Sequence, residues 1–349
     1  MARRWVVLRE HRRRWGGDLR RHHIFKVLAE TTNARTVSGW TREAIELAFD
    51  GSRRRPFHRR PLLASVEPLA PDALDLARRL SEPAVVDILD DHVAMSDTIG
   101  LPLDPAHREH LQTVMRTSIE TFPLKVVQSR SFRDLIGLDP ATTLIASNGA
   151  DLRTITPMPW PDEPGVAIAT GAAPGRGIEA LIDAARLVRA THRDLVLYLW
   201  LVATGEASER YLASLLSQLG GEPWIRVATG SLRDRLGEAL GRATVLVVPN
   251  PESSYWDAVI PIKLADSLAA GRPVVVTPRT EMKMIIERTG GGIVAADDSP
   301  EAIADAIERL LGDSDGARRM GAAARAAAEA EFDWRVIGRK LSDEILSRV

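Results

Sequence analysis

Residues 255–277 read Tyr-Trp-Asp-Ala-Val-Ile-Pro-Ile-Lys-Leu-Ala-Asp-Ser-Leu-Ala-Ala-Gly-Arg-Pro-Val-Val-Val-Thr. Pro261 leads into a helix expected over Ile262 to Ala270. Gly271 is suited to end it in the left-handed conformation, and Pro273 prevents continuation. The run Val274 to Thr277 then reads as a buried strand. Lys263 falls in the first helical turn, where the N-terminus already favours an anion. Asp266, three residues on, shares its face. A cation beside free backbone N–H groups can hold a diphosphate, and a carboxylate one turn deeper can accept both hydroxyls of a ribose. A surface ion pair between Lys263 and Asp266 would have the same spacing.

Upstream, Val166 to Thr170 reads as a strand that enters Gly171-Ala-Ala-Pro-Gly-Arg176-Gly177 and then a helix over Ile178 to Ala190. Glycines at a strand-to-helix turn let backbone N–H groups approach phosphate, and the planar fork of Arg176 suits phosphate oxygens. The spacing is not the G-x-G-x-x-G of dinucleotide sites. Glu206 does follow the next strand, which keeps a nicotinamide-dependent oxidoreductase as a rival reading. Strands over 195–202, 225–228, 244–248 and 293–295 alternate with helices over 211–219, 232–240, 300–311, 316–331 and 334–346. Ser299 and Pro300 stand as N-cap and first residue of the helix over 300–311.

A proline-rich segment, Thr156-Pro-Met-Pro-Trp-Pro161, breaks the alternation and reads as a linker over 156–165. Before it the pattern recurs. Strands are expected at Trp5 to Leu8, Pro61 to Val66, Ala84 to Leu89, Lys125 to Gln128 and Thr143 to Ala146. Helices are expected at Leu19 to Ala29 and Glu109 to Thr121. The fold class is therefore α/β, with two doubly wound parallel-sheet domains and ligands expected at the carboxyl ends of the strands.

The segment around Lys263 resembles the donor-binding region of GT-B glycosyltransferases, in the group 1, family-4-like branch that carries P-x-K-L-x-E-x-x-A-x-G-x-P-V-V. Pro261, Lys263, Leu264, Ala269, Gly271, Pro273, Val274 and Val275 match it, and Asp266 stands where the pattern has Glu. The resemblance implies two Rossmann-like domains facing a cleft: an acceptor-side domain over 1–155, a nucleotide-sugar domain over 166–330 and a last helix over 331–349 crossing back. Glu331-Phe-Asp-Trp334 resembles the start of that helix. It implies donor contacts by Gly16, Gly17, Gly171, Arg176, Gly177, Asp257, Ile262, Lys263, Leu264 and Asp266. Many relatives place a second Glu eight residues before the ribose acid; here that position is Ala258, with Asp257 and Glu252 as nearby acids.

Trp15-Gly16-Gly17-Asp18 reads as a tight loop after the first strand. Val86-Asp-Ile-Leu-Asp-Asp-His92 resembles the family's Y-D-x-x-D-D segment, and Asp87, Asp90, Asp91 and His92 are candidates for a general base. One of them would equally serve to cap the next helix. Ser129 and Ser147-Asn-Gly-Ala-Asp151 resemble signals at the end of the first domain.

Composition narrows the classes. The chain has 349 residues, no cysteine and a net charge of -1. Thiolate metal sites, disulfides and cysteine nucleophiles are excluded. No apolar run is long enough to span a membrane, and the N-terminus lacks the apolar core of a secretory signal, so a cytoplasmic location is expected. Residues 1–60 hold 15 Arg and 1 Lys against 6 acids, a balance of +10, with runs at Arg12-Arg13-Arg14, Arg53-Arg54-Arg55 and Arg59-Arg60. Such a field suits an anionic acceptor or peripheral contact with an anionic membrane, and equally a plain solvated face. No nucleic-acid motif accompanies it. The expected substrates are a UDP-, GDP- or TDP-sugar donor and a carbohydrate, lipid-linked or small-molecule acceptor. No metal or other cofactor is expected. A catalytically silent protein of the same fold is the second reading, motivated by Asp266 and Ala258.

Overall fold

A computed structural model of the chain describes residues 5–9, 16–38, 41–49, 61–65, 68–230 and 235–349. The arginine runs at 12–14, 53–55 and 59–60 lie outside the described residues, as do Trp15 and Val66. The described chain divides into two compact units. The first comprises the described residues of Met1–Met95 with Leu103–Ser147 and Trp334–Val349, and the second Ser96–Pro102 with the described residues of Asn148–Asp333.

The first unit holds β1 (Trp5–Arg9), α1 (Gly16–Thr32), β2 (Arg35–Ser38), α2 (Arg42–Phe49), β3 (Leu62–Ser65), α3 (Pro71–Leu80) and β4 (Glu82–Asp87). After α4 (His92–Thr98) come α5 (Pro105–Thr121), β5 (Leu124–Val127), α6 (Arg130–Leu135) and β6 (Thr143–Ile145). The strands form one sheet in the order β2-β1-β3-β4-β5-β6, parallel throughout. The inner strands β1, β3, β4 and β5 carry short apolar runs, as expected where helices cover both faces of a parallel sheet. Where the sequence reading has a tight loop at Gly16-Gly17-Asp18, the structure has the first turn of α1. Glycine is tolerated there because the first N–H groups of a helix have no intrahelical acceptor. The strand expected at Ala84 to Leu89 ends at Asp87, so Ile88 and Leu89 follow it as loop.

The second unit holds β7 (Gly165–Gly171), α7 (Ile178–Thr191), β8 (Val196–Val202), α8 (Glu206–Gln218), β9 (Ile225–Thr229), α9 (Leu236–Gly241) and β10 (Val245–Val248). Then follow α10 (Ser254–Ala258), α11 (Ile262–Ala269), β11 (Val274–Val276), α12 (Thr280–Thr289), β12 (Gly292–Val294), α13 (Pro300–Gly312) and α14 (Ser314–Ala327). A π-turn at Ala328–Phe332 precedes the last helix, α15 (Trp334–Arg348), which belongs to the first unit. The sheet order is β12-β11-β10-β7-β8-β9, again parallel. The strand order reverses between β7 and β10, and such a switch point opens a crevice at the carboxyl ends of the two strands. Ser299 caps α13 by accepting from the Ala302 N–H, with Pro300 in the first turn.

The proline-rich segment differs from its expectation as a linker. It is stitched to the second unit by Arg272, which donates to the carbonyls of Met158 and Pro159 at 3.1 and 2.7 Å and to those of Ala243 and Gly241 at 2.9 Å each. Trp160 lies between two guanidiniums, those of Arg272 and Arg318, each 4.7 Å from its ring centre. A buried guanidinium held by four carbonyls fastens the segment to the second unit. The divisions between units fall instead at Met95/Ser96, Pro102/Leu103, Ser147/Asn148 and Asp333/Trp334.

Candidate functional site

The second unit's site is built at its switch point. β7 ends in Gly171, and a 3-10 turn over Pro174–Arg176 returns the chain to α7. Gly177, at φ +70°, is the N-cap of α7. A Cβ there would fall on the carbonyl oxygen of Pro249, at the end of β10, so this position needs both the left-handed backbone and the missing side chain. Gly171 lies beside Arg176: a Cβ at Gly171 would stand in ordinary contact with the guanidinium, 3.4 Å from its Nε. Gly175 is held from two sides. Its N–H donates to the Ile99 carbonyl at 3.2 Å, and its carbonyl accepts from the Trp256 indole at 3.0 Å.

On the neighbouring strand's side, Ser253 caps α10 by accepting from the Trp256 N–H at 3.0 Å. Pro261 then starts α11, and no side chain caps its first turn. Lys263 lies in that turn and Asp266, 9% exposed, one turn on. Leu264 is wholly buried and anchors the helix in the core, while Ile262 is half-buried beside it.

Two cations converge on one ring. The Arg176 guanidinium lies 5.6 Å and the Lys263 ammonium 5.8 Å from the centre of Trp256. The lysine stem stays partly exposed, but Nζ itself is buried and makes no hydrogen bond among the described residues. Burial, and secondarily the positive charge of Arg176, push the Lys263 amine well below the usual lysine range. Thr170 Oγ1, at the end of β7, and both side-chain atoms of Asn250, just after β10, are likewise buried without a hydrogen bond among the described residues. Unsatisfied polar atoms are rare in protein interiors. These atoms gather at the ends of β7 and β10. The sequence reading passes over Thr170 and Asn250. Their signal is present, a polar residue directly after an apolar strand on each side of a switch point, but it needs the strand order to be read.

Asp257 does not face this group. Its carboxylate accepts from the Thr280 N–H at 3.1 Å and lies 3.8 Å from Arg279, and so caps the start of α12. Ala258 is buried, and Glu252 is exposed.

In the first unit the acid cluster separates by role. Asp87 ends β4 wholly buried, and its carboxylate is gripped by Arg20 of α1, also wholly buried, at 2.7 and 3.0 Å. Arg20 further donates to the carbonyls of Ala146 and Ser147 at 2.6 and 3.0 Å. A carboxylate so engaged is a strut for the sheet end, not an open base. Asp91 caps α4, accepting from Val93 and Ala94 N–H groups at 3.0 Å each. Asp90 accepts from Gln128 at 3.3 Å, and His92 is the first residue of α4; both are half-buried. Gly16 and Gly17 open α1. Ser129 caps α6 through the Phe132 N–H, and Asn148, in the second unit, donates to the Ile260 carbonyl at 2.7 Å just ahead of the Lys263 helix.

Residues 164–313 match the glycosyl transferases group 1 family model. That group 1 match takes in Arg176, Trp256, Lys263 and Asp266. A D-inositol 3-phosphate glycosyltransferase of Kineococcus radiotolerans is 27% identical over 59% of this chain and 52% of its own length. The chain thus spans about half of that curated relative. Among solved structures, sucrose-phosphate synthase from Thermosynechococcus elongatus aligns over 99% of both chains, with a TM-score of 0.72 and 15% identity. Anabaena HepE, solved in complex with UDP, aligns over 99% of this chain and 100% of its own, with a TM-score of 0.70 and 16% identity. These likenesses carry the fold, which is GT-B: two Rossmann-like domains in one chain.

Proposed function

We propose that the protein is a glycosyltransferase that moves a hexose from a nucleoside diphosphate sugar to an acceptor hydroxyl. The observation that carries this is the convergence of Arg176 and Lys263 on Trp256, with the lysine ammonium buried and lacking a hydrogen-bonded partner among the described residues. Two basic groups held together in a sheltered place carry both charges only at a cost, unless an anion joins them. A diphosphate supplies that anion, the uncapped first turn of α11 adds N–H donors, and Asp266 takes the ribose. As the bond from the sugar's anomeric carbon breaks, the leaving diphosphate gains negative charge, which the two cations stabilise. The acceptor hydroxyl passes its proton to a general base, for which the segment Asp87 to His92 supplies the candidates. The curated relative's name supports a polyol or carbohydrate acceptor.

One observation favours a second reading, a protein that binds the donor without turnover. Ala258 stands where the pattern that the segment resembles implies an acid, and its neighbour Asp257 caps α12.

Thermal stability against UDP, GDP, TDP, ADP and NAD tests both. A ligand at a hundred times its dissociation constant adds about 2.7 kcal/mol. One nucleoside diphosphate should raise the melting temperature, and Lys263→Ala should abolish the rise. Stabilisation by NAD alone would sink the proposal. Donor binding with neither transfer nor slow hydrolysis of the bound sugar would select the second reading.

A further inference from the structure

The opposite rim of the second sheet carries a different site. Tyr198, Trp200, Arg226, Arg235, Glu238 and Arg242 line a cavity of about 250 Å³. Arg226 is the second residue of β9, Tyr198 the third of β8, and Arg242 directly follows α9 ahead of β10. All three therefore sit toward strand starts, whereas Arg176 and Lys263 follow strand ends. Side chains alternate along β8: Leu197, Leu199 and Leu201 are wholly buried in the core that includes α7, so Tyr198 and Trp200 face the other way. On that face α9 is only six residues long. Its Ala239 and Leu240 pack into a core with residues of β7 and β10, and the aromatic surface toward β9 is left as the floor of the cavity.

The floor and walls are chemically matched. The Tyr198 and Trp200 rings stack 5.8 Å apart and 5° from parallel. Parallel pairing sets Arg226 beside Tyr198, with the guanidinium 5.6 Å from the ring centre. Arg226 is exposed and has no carboxylate partner among the described residues. Arg235 and Arg242 share one acid: Glu238 accepts from them at 3.1 and 2.7 Å. Three guanidiniums against one carboxylate leave two positive charges in excess around an aromatic surface.

We propose that this cavity binds a single sugar ring bearing a phosphate or carboxylate group. The ring's apolar face lies on Tyr198, and the anion meets Arg226 and the arginines beside Glu238. Arginine's planar fork suits either oxyanion. The volume falls below the range of about 300–1,000 Å³ that holds larger ligands, which favours one ring over a whole nucleotide. Two sources present this chemistry: a free sugar phosphate, and a charged end residue of a longer glycan.

Calorimetric titration of the full chain with glucose 6-phosphate, trigalacturonate, glucose and inorganic phosphate tests the site. Glucose 6-phosphate, trigalacturonate or both should bind, and glucose and phosphate should each bind at least about tenfold more weakly, because each offers half of the recognition. Binding of the first alone names a free metabolite; binding of the second names a glycan end. Arg226→Ala should weaken binding about tenfold or more and Arg226→Lys less, with the melting temperature unchanged because the side chain is exposed. Lys263→Ala should leave it intact, which separates this site from the proposed donor site. No binding of either charged sugar, equal binding of bare phosphate, or loss on Lys263→Ala instead of Arg226→Ala would overturn the assignment.

Discussion

Lys263 carries the sharpest consequence at the scale of a residue. Its amine is pushed below the usual lysine range by burial first and Arg176 second. The unfolded chain returns it to about 10.5. Between the two values the unfolded chain binds more protons, so this residue's contribution to stability is greatest above the unfolded value and is lost as pH falls toward the folded one. A bound diphosphate reverses the balance by favouring the ammonium. Binding of the stabilising nucleoside diphosphate should therefore take up protons. Calorimetry stepped upward from about pH 8, where the phosphate itself is already deprotonated, should show a window below 10.5 in which the binding enthalpy varies with the buffer's ionisation enthalpy. That dependence should vanish in Lys263→Met; proton uptake persisting in the variant would place the titrating group elsewhere. Arg20 and Asp87 make a second case. Breaking a buried pair leaves one charge uncompensated and costs about 3–5 kcal/mol. Asp87→Ala should cost that much in denaturant unfolding, and Arg20→Met with Asp87→Leu should cost less than the single change. A cost below about 1 kcal/mol for Asp87→Ala would return this carboxylate to the list of open bases.

Elements show how far local sequence can be trusted. Gly177 opens α7 at φ +70° with the Pro249 carbonyl where a side chain would be. Gly177→Ala must push apart the ends of β7 and β10, displacing Arg176 from Trp256. Nucleoside diphosphate affinity should fall about tenfold or more, with a stability loss of about 1–3 kcal/mol; unchanged affinity would take the turn out of the donor site. Much of this element was legible beforehand, because β7, the glycine turn and α7 are adjacent in sequence and each carries its own signal. The same holds for Pro261, Lys263 and Gly271 around α11. Legibility fails where an element depends on a distant partner. β2, Arg-Thr-Val-Ser, has too little apolar pattern to stand out and is fixed by pairing with β1. The acid cluster of 87–92 looked uniform until Arg20, far away in sequence, claimed Asp87 and the start of α4 claimed Asp91. The proline run read as a linker because its captor, Arg272, lies more than a hundred residues downstream.

At the scale of the whole molecule, the chain leaves the first unit after Met95 and after Ser147 and returns to it at Leu103 and at Trp334. The last two of these crossings are tied within the second unit by an Ala150 N–H to Phe332 carbonyl bond of 2.7 Å and a parallel bridge between Ala150 and Asp333. The returning helix α15 is no appendage. Trp334, 1% exposed, stacks on His23 with 6.1 Å between ring centres, and Ile337, Leu341 and Ile345 are buried on the same helix. Gly338 lets it approach α1, since a Cβ there would lie 2.9 Å from Val27. At about 1.5–3 kcal/mol for each buried large side chain, the four together approach the whole stability of a typical domain, about 5–15 kcal/mol. Truncation after Asp333 should therefore unfold the first unit while the second, whose core clusters and cation pair are internal to it, remains folded. Hydrogen exchange should show lost protection in β1, β3, β4 and β5 and retained protection in β7, β8 and β10. The nucleoside diphosphate that stabilises the full chain should still raise the remaining melting transition. Retained protection in β1 would mean that α1 is held without α15. Lost protection in β7 would mean that the second unit draws its stability from the first, and that the donor site must then be studied only in the intact chain.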